Sequence, residues 1–159
     1  MTAFVRILAL VFALTGLALA PVSAVAMGSD SDTPAKKSNP DLDAGKQAVD
    51  AQQWEKAIAS LTKAVQTEST NADAFNYLGY AYRKSGDYEK AFASYKQALE
   101  LDPRHKGAHE YIGEAYLETG DLESAEFHLK RLDSICFFGC AEYSELKKAV
   151  AAYKAKQSS

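Results

Sequence analysis

The two cysteines of the chain, Cys136 and Cys140, stand in the sequence Cys-Phe-Phe-Gly-Cys. In an oxidising compartment, this pair favours a structural disulfide, which is our preferred interpretation. A thiol-redox site is a second interpretation, although the spacing differs from the Cys-x-x-Cys of oxidoreductases. A metal site is a third, because His105 and His109 with the two cysteines would supply ligands of the types that zinc prefers.

Glu110, Glu114 and Glu118 form a row of carboxylates at intervals of four residues. This spacing places the three side chains on one face of a helix. Such a row is commonly a solvated face; the alternative is a binding face for a basic ligand, because a cation would relieve the repulsion between the carboxylates. The sequence contains no Gly-rich phosphate loop, nucleophile motif or acid–base pair. We therefore predict a protein that is not an enzyme and needs no cofactor or metal.

The elements that position these side chains recur with a period of 34 residues. The residues that recur are Leu78, Gly79, Tyr82, Gly86 and Asp87, which return as Ile112, Gly113, Tyr116, Gly120 and Asp121. A long fixed period indicates stacked units, none of which can bury its apolar face alone. Apolar residues three, four or seven apart predict two helices per unit, over 73–84 and 88–100 in the middle one.

This pattern resembles the tetratricopeptide repeat family. Residues 72–105 carry its signature most completely, and residues 106–139 match with His109 and Phe137 at sites where other residue types are common. Residues 38–71 match weakly, since Gln52 and Ser69 replace the expected Gly and Pro. The resemblance implies an all-α solenoid of three helix-turn-helix repeats. An apolar stripe over about 141–156 predicts a capping helix within 140–159.

The resemblance also implies that the first helices of the repeats line an inner groove that binds segments of partner proteins. The residues that it places in or beside this groove are Asn76, Tyr77, Tyr80, Arg83, Glu110, Tyr111, Glu114 and Glu118. Some family members hold a peptide carboxylate with a clamp of Lys and Asn, of which this chain keeps only Lys46, Asn76 and Arg83 as remnants. The tyrosines and carboxylates predict a protein or peptide partner of net basic charge.

The N-terminal segment predicts export. One basic residue, Arg6, precedes an uncharged apolar run over 7–20, and Pro21 and small residues follow. We interpret residues 1–26 as a signal peptide, cleaved after Ala26 or Ala24, and the polar residues 27–37 as a disordered linker. The predicted location is periplasmic or secreted. An uncleaved anchor, and hence a membrane-tethered assembly factor, is the alternative.

The charge of the chain argues against nucleic acid as a partner. Its 159 residues have a formal net charge of −3, and no block of Lys and Arg stands out. Binding to the phosphate backbone normally requires a clustered basic face. The sequence therefore predicts a non-enzymatic protein–protein interaction module of the cell envelope. Redox or metal chemistry at Cys136 and Cys140 is the alternative function.

Overall fold

The computed structural model describes residues 39–158, which form seven α-helices and no strands. The predicted signal peptide and linker, residues 1–37, lie outside the described residues. The helices are α1 (Pro40–Asp50), α2 (Trp54–Thr67), α3 (Ala72–Lys84), α4 (Tyr88–Leu101), α5 (Lys106–Glu118), α6 (Leu122–Ile135) and α7 (Ala141–Gln157). None of the helices between residues 39 and 158 is both long and apolar enough to cross a bilayer.

The helices pack as three sequential pairs: α1 with α2, α3 with α4, and α5 with α6. The first helices of neighbouring pairs also contact each other, α1 with α3 and α3 with α5. Helix α7 contacts both α5 and α6, and so continues the row of first helices. The predicted all-α solenoid of three helix-turn-helix repeats and a terminal helix is confirmed.

The turns inside the pairs explain where the helices begin. Gly86 and Gly120 adopt φ angles of 87° and 89°, which a side chain would strain. The residue after each glycine then caps the next helix: Asp87 accepts a hydrogen bond from the Lys90 N–H at 3.2 Å, and Asp121 does so from Ser124 at 2.9 Å. In the weakly matching first repeat, Gln52 takes the same left-handed conformation at a φ of 55°. The predicted repeat therefore keeps its turn there without the glycine.

Three helical glycines mark close approaches between helices. A Cβ on Gly45 would lie 2.5 Å from Leu61, and one on Gly79 would lie 2.7 Å from Tyr95, so both contacts fall within a pair. At the equivalent Gly113 the neighbour is Leu146 of α7, at 2.6 Å. Helix α7 therefore packs directly against α5, where Leu146 is completely buried.

Candidate functional site

The groove, as we use the word below, is the surface lined by α1, α3, α5 and α7, together with the turn between α1 and α2 and Trp54 at the start of α2. Its first part is an open cavity of about 660 Å³ whose walls carry one tryptophan and three tyrosines. The residues that line it are Val49, Asp50, Gln52, Trp54, Tyr77, Tyr80, Lys84 and Tyr111. The ring of Tyr80 lies 4.9 Å from that of Tyr111 and 6.2 Å from that of Trp54, so the aromatic side chains form one continuous surface.

The repeat period explains why these rings meet. Tyr77 of α3 and Tyr111 of α5 are 34 residues apart and therefore hold the same position on successive first helices. Tyr80 follows Tyr77 by three residues, on the same face of α3. All three tyrosines are partly exposed and remain available for contact. Burial raises the pKa of Tyr111 to about 12, with a smaller contribution from Glu110, so its hydroxyl stays protonated at neutral pH.

Arg83 is the buried cation at the centre of the groove. Its guanidinium Nη1 lies 2.7 Å from a carboxylate oxygen of Glu114 and 3.1 Å from one of Glu118. The same guanidinium lies over the rings of Tyr80 and Tyr111, at 5.3 and 5.7 Å from their centroids. Two carboxylates of the predicted row are thus already paired within the chain. The expectation of three mutually repelling carboxylates has to be corrected, because Arg83 offsets the charge of two of them.

Glu110 is the carboxylate that Arg83 does not bind. It is half-buried and forms no ion pair within residues 39–158. Burial raises its pKa to about 7, and the charges of Glu114, Glu142 and Glu145 add to this effect, while Arg83 opposes it. The unrelieved negative charge therefore lies where the start of α7 approaches α5. The sequence placed Glu142 and Glu145 on a capping helix and did not associate them with the groove.

The remnants of the family's carboxylate clamp are all engaged in other contacts. The ammonium group of Lys46 lies 5.0 Å from the centroid of the Tyr77 ring. Asn76 is only 5% exposed and packs beside Gly107 of α5, so its side chain does not reach the open surface. Arg83 is buried between Glu114 and Glu118. Of the predicted groove residues, Asn76 and Arg83 therefore support the groove, whereas the tyrosines and glutamates face it.

Helix α7 contributes a second part of the groove. A cavity of about 450 Å³ lies between the ends of α3, α5 and α7. The residues that line it are Lys84, Glu114, Leu117, Glu118, Ala149, Ala152, Tyr153 and Lys156. Lys84 borders both cavities, and so joins the two parts into one surface. The sequence assigned α7 only the role of a cap, because its docking against α5 depends on contacts across distant residues.

The cysteines and histidines do not assemble into one site. Cys136 and Cys140 form a disulfide with a Cα–Cα distance of 5.6 Å, in agreement with the preferred interpretation. His105 caps α5 and lies 3.0 Å from the carboxylate of Asp73, while His109 pairs with His128 through ring nitrogens 2.9 Å apart. No group of three or more metal-ligating side chains occurs within the described part of the chain. The structure thus gives the metal interpretation no support.

Comparisons with known proteins place the fold. A family model described as Tetratricopeptide repeat matches residues 72–105, and one described as TPR repeat matches residues 45–86. The TPR domain of Sgt2 from Aspergillus fumigatus superimposes with a TM-score of 0.69 at 23% identity, over 79% of this chain and 82% of that one. Comparison with curated protein sequences gave no match.

Two similar structures contain a bound segment of another protein. PcrH in complex with the chaperone binding region of PopD has a TM-score of 0.64 at 22% identity, covering 75% of this chain and 90% of that one. The second TPR domain of human RPAP3, in complex with the HSP70 peptide SGPTIEEVD, has a TM-score of 0.62 at 25% identity, covering 69% and 91%.

Proposed function

Because the chain is a tetratricopeptide repeat protein, we propose that it is a non-enzymatic interaction module whose groove binds an extended segment of a partner protein. The observation that carries this proposal is the open aromatic surface of Trp54, Tyr77, Tyr80 and Tyr111. Tyr and Trp offer a large contact area with few rotatable bonds, and are enriched at binding surfaces. The similar structures that hold peptides support the same use of the fold.

The charge of the groove favours a partner segment with a basic residue beside an apolar one. Apolar side chains of the segment would contact the tyrosine rings, while a Lys or Arg would lie beside Glu110, Glu142 and Glu145. A cation at that point lowers the pKa of Glu110 and relieves the repulsion between the carboxylates. Binding at a pH below about 7 is therefore coupled to release of a proton from Glu110. The site for the basic residue is the α5–α7 end of the groove.

We propose that this interaction takes place in the cell envelope or outside the cell. The N-terminal sequence with its cleavage motif motivates this assignment, and the Cys136–Cys140 disulfide fits an oxidising compartment. Sequencing the N-terminus of the protein isolated from its host tests it. A start at Val25 or Met27 is the expected result, and an intact Met1 would favour the membrane-tethered alternative.

Site-specific photo-crosslinking in the producing cells tests the groove. A photoreactive phenylalanine analogue replaces Tyr77 in one variant and Ala93, an exposed residue of α4 outside the groove, in a matched control. We expect a discrete adduct at Tyr77, absent at Ala93, whose mass spectrum identifies a segment of net positive charge. The adduct should disappear when Glu110→Lys is added, since the substitution places a cation where the partner's would lie. Equal adducts at both positions, or no adduct at Tyr77, would contradict the proposal.

A further inference from the structure

Helix α6 carries an exposed aromatic residue that the other repeats lack. Phe127 is 59% exposed. The residues one and two periods earlier are Ala93 on α4 and Ala59 on α2, which are also exposed. These comparisons show that the solenoid does not require a large apolar side chain at this position. The packing of the repeats therefore does not account for Phe127.

The loop that follows α6 carries two further exposed aromatic residues. Phe137 and Phe138 are 86% and 96% exposed, and the centroids of their rings lie 5.0 Å apart. The Cys136–Cys140 disulfide closes this loop, so both rings are held outward at little further cost in conformational entropy. If each phenylalanine side chain has a surface of roughly 200 Å², the exposed fractions of the three amount to about 500 Å² of exposed aromatic surface on α6 and its loop. This total is comparable to the largest apolar patch of a typical monomer, about 300–600 Å², which often has a functional role.

The charges beside Phe127 are arranged so that the helix complements itself. Glu123 lies four residues before Phe127 and Arg131 four residues after it, all on one face of α6. Neither Glu123 nor Arg131 forms an ion pair within residues 39–158. When two copies of α6 pack antiparallel with their Phe127 rings at the centre, Glu123 of each copy lies opposite Arg131 of the other. This arrangement forms two ion pairs between Glu123 and Arg131 and covers both Phe127 rings.

We propose that this face of α6 is a self-association surface, through which two copies of the chain pack about a two-fold axis at Phe127. Such an interface is isologous, so it closes at two copies. Phe137 and Phe138 then flank it at both ends. The aromatic surface of two copies is about 1,000 Å², just below the lower limit of about 1,200 Å² for stable specific interfaces, so we expect a weak, concentration-dependent association. The groove lies on the first helices and stays open in the dimer.

Sedimentation of the chain as purified from its host, over a range of concentrations, tests the proposal. Glu123→Arg and Arg131→Glu each place like charges opposite one another on both sides of the two-fold axis. We expect each variant to weaken the homodimer by roughly tenfold or more. A mixture of the two variants restores association, because every Arg then faces a Glu. Phe127→Ala, which gives α6 the residue found on α2 and α4, should also weaken the dimer.

Glu89→Arg is the matched control, since Glu89 holds on α4 the position that Glu123 holds on α6. It should leave the association unchanged, and circular dichroism should show the same helicity in all variants. A wild-type chain that stays monomeric at several hundred micromolar overturns the proposal. So does a mixture of Glu123→Arg and Arg131→Glu that associates no better than either variant alone. An equal loss with Glu89→Arg would assign the effect to net charge and overturn it as well.

Discussion

Replacing Glu110 with Gln tests whether the groove holds an unrelieved charge. Burial and the neighbouring carboxylates raise the pKa of Glu110 to about 7 from its ordinary 4.5. At about 1.36 kcal/mol per pH unit, the difference corresponds to at most about 3.4 kcal/mol. Because the carboxyl group is only half-buried, solvent screening reduces the expected effect to about 1–2 kcal/mol. Glutamine keeps the size of the side chain and cannot ionise.

The direction of the effect follows from proton binding. Between pH 4.5 and about 7, folded Glu110 holds a proton that the unfolded chain has already released. The native state is therefore destabilised as the pH rises through this interval, and the whole penalty is present above it. Glu110→Gln removes that penalty. The variant should match the wild type near pH 4.5 and be more stable by about 1–2 kcal/mol at pH 8.

Urea unfolding between pH 4.5 and 8, followed by circular dichroism, measures the free energy of unfolding of both proteins. The difference between the two curves cancels the other titrating groups that they share. Glu55→Gln, an exposed carboxylate at the start of α2, controls for the loss of one charge. If the difference in free energy of unfolding between Glu110→Gln and the wild type does not change with pH, Glu110 does not carry the unrelieved charge. A decrease in stability at pH 8 would lead to the same conclusion.

Three further measurements concern the scaffold. Burial, with the nearby charges of His109 and Arg131, lowers the pKa of His128 to about 4, so the native state should lose stability as the pH falls from 6.5 to 4. In His128→Leu, the free energy of unfolding measured with urea should change less over this pH interval. Gly79→Ala brings a Cβ within 2.7 Å of the buried Tyr95 ring and should cost a net ~1–2 kcal/mol in thermal unfolding, with an unchanged melting temperature as the contrary result. Replacing both cysteines with serine should cost about 1–2 kcal/mol, since the closed loop is short, and reductant should then have no further effect on unfolding.

The limits of the helices in the middle repeat were largely readable from the sequence. The predicted helices over 73–84 and 88–100 correspond to α3 (Ala72–Lys84) and α4 (Tyr88–Leu101). The signals that set these limits are local: a glycine that accepts a positive φ, and an aspartate whose carboxylate accepts the first free N–H. The stripe of α7 was also predictable, because Leu146 and Val150 lie at helical spacing and both are buried.

The identity of the groove residues was only partly predictable. The family resemblance assigned Tyr77, Tyr80 and Tyr111 to one surface, and the structure brings all three into the same cavity. The sequence could not show that Arg83 would fold inward and bind Glu114 and Glu118. A position on a helix fixes the face on which a side chain lies, but not its partner on another helix. The spacing of carboxylates therefore suggested more free charge than the groove has.

The amino-acid sequence by itself determined that the chain is a stack of helical pairs, since the repeat period, the caps and the apolar spacing can all be read along the chain. The resemblance to the repeat family added that tyrosines lie along one side. Only the tertiary structure decided how α7 docks against α5, which puts Glu142 and Glu145 near Glu110, where their charges add to the rise in its pKa that burial causes. It also decided that His109 pairs with His128. These outcomes depend on distances between residues far apart in the chain. Burial and electrostatic effects vary steeply with such distances, and no local pattern encodes them.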